Sequence, residues 1–229
     1  TCDTLLFFSK ENKIISFGNT HLWDRNYELF ADTIIVFTKS DSGVALGSVT
    51  LKQKGQIINS DRLEYKKSDI DSSVSYSAIG KVLIRDSLRV ATCGIANYER
   101  SKEITSLEIE PKISENKQII SGEKIILTYK DEILDNILIP SKAHVKTPSS
   151  GFQKKVIDST EILDSTEFFD DLTGAFLYGF FKNGELDSMR LEGMSTTLYH
   201  VFEDSVYKGK NETSGDTIII SFKNKETNN

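Results

Sequence analysis

Four aspartates occupy matched settings in this chain: Cys2-Asp3-Thr4-Leu5, Ala31-Asp32-Thr33-Ile34, Ser60-Asp61-Arg62-Leu63 and Gly215-Asp216-Thr217-Ile218. Carboxylates that recur in one context are the raw material of a cation site or of general acid and base chemistry. Each of these follows a small residue and opens an apolar alternation, and an Asp so placed bonds nearby backbone at a corner, which explains all four structurally. His21, His144 and His200 are scattered, with no second His at ligand spacing and no His-Glu-x-x-His. A metal is therefore not expected. Neither a nucleophile elbow nor a phosphate-binding glycine loop occurs, so no catalytic residue and no cofactor is expected either. Asn211-Glu212-Thr213 has the form of a glycosylation acceptor, a pattern short enough to arise by accident.

The elements that would position these residues announce themselves by repetition. Gly18 and Asp32, then Gly47 and Asp61, are each fourteen positions apart, and a third copy from Gly80 has Gly94 in the acidic slot. A fixed period is the mark of one supersecondary unit stacked on itself. Counted from the leading Gly, slots 2, 4, 11, 13, 16 and 18 form one face: Thr20, Leu22, Leu29, Ala31, Ile34, Val36; Val49, Leu51, Ile58, Ser60, Leu63, Tyr65; Val82, Ile84, Ala91, Cys93, Ala96, Tyr98. Period-two alternation is strand, not helix. The residue at the corner is always small (Cys2, Ala31, Ser60, Cys93, Gly122, Gly174, Gly215), as a tight bend or a close approach of two faces requires. Cys2 and Cys93 share this slot three units apart, a separation of ~14 Å at strand spacing. That exceeds disulfide reach, so two free thiols are expected.

The predicted fold is all-β, an elongated antiparallel stack of repeats of roughly thirty residues over residues 1–229 as a single domain. A loop, and a possible internal break, is expected at 140–158, and a helical turn is plausible at 159–167. The longest apolar runs, such as Ile34-Ile35-Val36-Phe37, fall far short of the roughly 20 residues of a spanning helix. A net charge of −6 with no basic cluster argues against a nucleic-acid partner. The chain opens Thr1-Cys2-Asp3 without Met, as expected where leading residues have been removed.

The glycine-to-aspartate phrase, together with Leu172-Thr173-Gly174, Phe180-Phe181-Lys182-Asn183-Gly184, Leu191-Glu192-Gly193, Tyr199 and Gly209-Lys210-Asn211, resembles the OstA-like family of lipopolysaccharide-transport β-jelly rolls. The resemblance covers nearly the whole chain. It implies two facing sheets with an apolar groove for acyl chains, a periplasmic setting with possible outer-membrane association, no enzymatic activity, and lipopolysaccharide or a related glycolipid as the ligand. It also implies partners among other jelly-roll components, or a second copy, joined edge to edge. The departures are Gly94 for Asp, a fourth unit without its leading Gly, and a longer insertion before Asp216.

On that basis Ile34, Val36, Leu51, Ile58, Leu63, Tyr65, Ile84, Tyr98, Ile125 and Leu127 are the expected groove lining. From residue types alone a closed, dry core reads equally well, because both need the same side chains. A structural or adhesive β-solenoid is therefore the alternative, and a carbohydrate-active β-helix a third. Unpaired edge strands bind other strands unless blocked. Thr4 to Phe8 and Thr217, Ile218, Ile219, Ile220 and Phe222 are the expected edges, the latter set for partner docking.

Overall fold

The computed structural model describes residues 1–221 apart from 26, 54, 69–73, 116, 132, 158, 159 and 183. Seven strands come first as a meander: β1 (Thr4–Phe8), β2 (Lys13–Trp23), β3 (Tyr27–Phe37), β4 (Ser42–Gln53), β5 (Gln56–Lys67), β6 (Val74–Arg85) and β7 (Arg89–Glu99). Five shorter ones follow: β8 (Ile104–Glu108), β9 (Lys112–Glu115), β10 (Gln118–Ser121), β11 (Lys124–Lys130) and β12 (Ile133–Ile139). The C-terminal five are β13 (Ala143–Ile157), β14 (Thr160–Gly174), β15 (Phe176–Lys182), β16 (Glu185–Glu203) and β17 (Val206–Ser221). Among the described residues, helix is limited to two single 3-10 turns, Ser9–Glu11 and Arg100–Lys102.

The long strands do not lie flat. The pairing register shifts between Phe17 and Thr20, Leu46 and Val49, Ile79 and Val82, and Glu192 and Ser195. The residues between are Gly18-Asn19, Gly47-Ser48, Gly80-Lys81 and Gly193-Met194, and all eight have positive φ. Two consecutive left-handed residues make a bulge that bends the strand, and glycine takes the first position because a Cβ is disfavoured there. Burial shows what the bend achieves: Leu29 and Ala31 are buried before it and Ile34 after it, as are Ile58 and then Leu63. The three-residue step across the corner reverses the alternation, so both halves of a strand point inward. One continuous sheet thus becomes two walls.

β7 shows the same division, since Ile95 to Glu99 pair with β8 while Arg89 to Thr92 pair with β9. The first wall continues through β11, β12 and β15, the second through β10, β13 and β14, and both rejoin at β16. A single apolar core, including Leu107, Ile125, Ile139, Val145, Leu177 and Leu191, lies between them.

The corner acids have a definite partner. A Cβ built on Gly18, Gly47 or Gly80 would collide with the side chain of Asp3, Asp32 or Asp61 respectively, so each carboxylate lies over the glycine of the next corner. The Asp3 N–H donates to the Gly18 carbonyl at 3.0 Å. Asp216 stands opposite the Gly193-Met194 bulge. Gly94 is explained by an inversion of this pairing. Its corner partner is Ile109, a non-glycine residue at φ 63, and a side chain at position 94 would strike the Ile109 Cβ. The same backbone bond persists, Gly94 N–H to Ile109 carbonyl at 2.8 Å.

Two expectations need correction. The loop predicted at 140–158 is mostly strand: β13 is in register with β14 from Ala143↔Gly174 to Ile157↔Thr160. Pro148 misleads because its missing N–H is harmless where β13 has lost β10, whose ladder ends at Lys146. The helical turn plausible at 159–167 is likewise strand from Thr160 onward. The tip of the β16–β17 hairpin folds back on β13, with the Phe152 N–H donating to the Ser205 carbonyl at 2.8 Å. Phe168, His200, Phe202 and Tyr207 cluster beneath it.

Candidate binding groove

Opposite the corners, the free ends of the two walls enclose a cavity of about 620 Å³. Its floor is Ile84, Ala91, Ala96, Leu107, Ile113, Leu127 and Leu134, and its rim carries Asp24, Gln53, Gln56, Asp86, Arg89, Arg100 and Glu103. Between floor and rim stand four tyrosines, Tyr27, Tyr76, Tyr98 and Tyr129. The Tyr76 and Tyr98 rings are 4.9 Å apart, and the Gln53 side-chain amide donates to the Tyr76 hydroxyl at 3.0 Å.

Burial, reinforced by Tyr98 and Tyr129, pushes the Tyr76 hydroxyl far above the usual phenol range. Burial also raises the Tyr129 phenol, and that of Tyr27 with help from Asp24. These phenols therefore stay neutral and serve as amphipathic walls, apolar along the ring and hydrogen-bonding at the tip. Charge is confined to the rim. The arrangement suits a long apolar chain whose polar end remains at the mouth.

Of the ten residues expected to line a groove, Ile84, Tyr98 and Leu127 border this cavity. Ile34, Leu51, Ile58, Leu63, Ile125 and Leu127 are buried in the core. Val36 and Ile84 pack partly against it, while Tyr65 and Tyr98 are half-buried. The tyrosines at 27, 76 and 129 and the charged rim escaped sequence reasoning. A signal for part of this set existed, since slots 6 and 9 of the phrase are Asp24, Gln53, Asp86 and Tyr27, Gln56, Arg89, one step beyond each end of the alternating face.

The remaining chemistry-bearing residues are dispersed. His200 Nδ1 lies 2.9 Å from Asp170, and His144 Nε2 lies 2.7 Å from Asp171; the two acids are successive residues of β14. His21 stacks on Phe30 at 4.1 Å and on Trp23 at 4.8 Å. Among the described residues no cluster of His, Cys, Asp and Glu has the form of a metal site. Cys2 and Cys93 are free thiols, and burial pushes Cys93 up to about 11.

At the sheet ends, β1 pairs among the described residues with β2 alone, and all five of its side chains are exposed, Phe7 by 67%. On β17, Thr217 to Ile220 pair with β16, and Ile219 is 68% exposed while Ile220 packs partly on the core. Phe222 lies outside the described residues.

Two bent walls of antiparallel strands around an apolar slot define a β-jelly roll. Residues 28–133, a little under half of the chain, match the family described as LptA/(LptD N-terminal domain) LPS transport protein. The matched stretch holds every residue bordering the cavity except Asp24, Tyr27 and Leu134. Among solved structures the chain is similar to LptH of Pseudomonas aeruginosa, described as the LptA homologous periplasmic component of the conserved lipopolysaccharide transport device. The identity is 13%, over 59% of this chain and 78% of that one, with a TM-score of 0.27. The comparison with curated proteins gives no match.

Proposed function

We propose that this chain is a non-enzymatic carrier of lipopolysaccharide or a related glycolipid in the periplasm, holding acyl chains between its walls while the polar part stays outside. The observation that supports this most is the cavity at the mouth of the two walls, with its apolar floor, tyrosine sides and charged rim, all but three of whose bordering residues lie in the stretch that matches the transport family. The physical need is clear. A buried methylene gains about 0.8 kcal/mol, so a ten-carbon acyl chain left in water forfeits roughly 8 kcal/mol. Nearer the corners the walls already touch, with Ile34 2% and Leu63 3% exposed, so a ligand enters from the mouth.

A photo-reactive benzophenone side chain at Tyr98 is expected to yield a covalent lipopolysaccharide adduct. The same group at Thr92, whose side chain is exposed on the second wall, is expected to yield none. Mass spectrometry of the irradiated protein reads the result, and equal labelling at both positions would defeat the proposal.

The finer proposal is that the domain joins like domains edge to edge through β1 and β17, forming part of a bridge between membranes. Its support is the exposed strand Thr4–Phe8 at one end and Ile219 at the other, an arrangement that isolated soluble proteins normally blunt. Ile219→Lys puts a charge on that edge without touching the core. It is expected to shift the protein from assemblies to monomer in sedimentation analysis, and an unchanged distribution counts against this edge.

A further inference from the structure

One residue at the rim joins the two walls across the mouth. Arg89 opens β7 in the second wall, where its Nε donates to Glu115 of β9 at 2.7 Å. Its Nη2 donates to the Gly184 carbonyl, also at 2.7 Å, and its guanidinium lies 5.3 Å from the Phe181 ring centre. Gly184 and Phe181 belong to the β15–β16 hairpin of the first wall, and neither borders the cavity. The Arg89 side chain is only 15% exposed, and Glu115 25%, so this is an ordered bridge and not a mobile surface charge. Beyond it, toward the C terminus, the walls close on Leu177, Met189 and Leu191, each at most 1% exposed.

We propose that Arg89 is the stop of the groove: by tying the walls together at the C-terminal limit of the cavity, it sets how long an apolar chain the cavity accepts. The proposal rests on the carrier reading above. Arginine suits the role because its planar fork serves a carboxylate, a carbonyl and an aromatic face together, which a lysine ammonium does not do. The side chain also places a charge where an advancing apolar chain would have to displace it, and a charge leaves water only when paired. Passage farther along the stack therefore requires the Arg89 bridge to open, and with it the contact between the walls.

The test is a series of alkyl maltosides of increasing chain length, each kept below its micelle threshold and titrated by calorimetry. In the unmodified protein, affinity is expected to rise about fourfold per added methylene and then level off where the chain meets Arg89. In Arg89→Ala the rise is expected to continue for further carbons, so that the longest probes bind roughly tenfold tighter than they do to the parent. If the parent binds no probe, the carrier reading falls; if both proteins level off at the same length, the stop falls and the carrier reading stands. Arg89→Lys, which keeps the charge beside Glu115, guards against misfolding and is expected to lie between the two. As a lipid-free check, spin labels at Ser87→Cys and Glu185→Cys, in a background lacking Cys2 and Cys93, report the distance across the mouth. Arg89→Ala is expected to lengthen and broaden that distribution, and superimposable distributions would overturn the proposal.

Discussion

Replacing both Ala91 and Ala96 with phenylalanine is expected to lower the affinity for an alkyl-chain ligand by about a hundredfold, since filling the space of three or four methylenes removes about fourfold for each. The two alanines belong to opposite walls, Ala91 in the half of β7 that pairs with β9 and Ala96 in the half that pairs with β8. Both border the cavity, where they are the smallest side chains of the floor. Overpacking a filled core costs about 1–3 kcal/mol, and these rings have vacant space to enter, so the cost in stability should fall at the low end of that range. Calorimetric titration with one alkyl maltoside, together with a urea melt, separates the two effects. A stable double variant with parental affinity would place ligand binding elsewhere.

The second prediction concerns the corners. Gly47 has φ 74, and a Cβ there would overlap the Asp32 carboxylate. Gly47→Ala therefore combines left-handed strain with a displaced side chain, and a loss of about 2 kcal/mol is expected. For a chain of this size that corresponds to a drop of roughly 4–8 °C in Tm. The chain itself contains the compensation, because at Gly94 and Ile109 the bulky residue is on the corner and the glycine in the acidic slot. Adding Asp32→Gly to Gly47→Ala is accordingly expected to recover about 1 kcal/mol, a non-additivity typical of residues in contact. Strict additivity in the thermal melts would mean that the carboxylate and the corner are not coupled.

This corner shows how far the linear order of residues could be read. The fourteen-residue spacing from glycine to acid, the small residue at the bend and the period-two alternation were all visible, since each is a local requirement of a strand with a corner. The partner of each acid was not. Asp32 sits over Gly47 of the following unit, a contact that exists only once β3 and β4 pair. Gly94 looked like an exception to the phrase until Ile109 supplied its reason. Pro148 and the polar run around it looked like a loop, because edge status is a property of neighbours and not of the strand itself.

The site divides along the same line. Period-two alternation and glycine at left-handed positions are set by residues within a strand of one another, so by itself the amino-acid order determined the strand class, the inward face and the apolar interior. The order of residues did not determine where that interior remains open. Ile34 and Leu63 are buried in a packed core, while Tyr76, Tyr98 and Leu127, of similar pattern, face a cavity. That difference depends on the angle between the walls, and on a link such as Arg89 to Gly184 across ninety-five positions of chain, which only the assembled tertiary structure could decide.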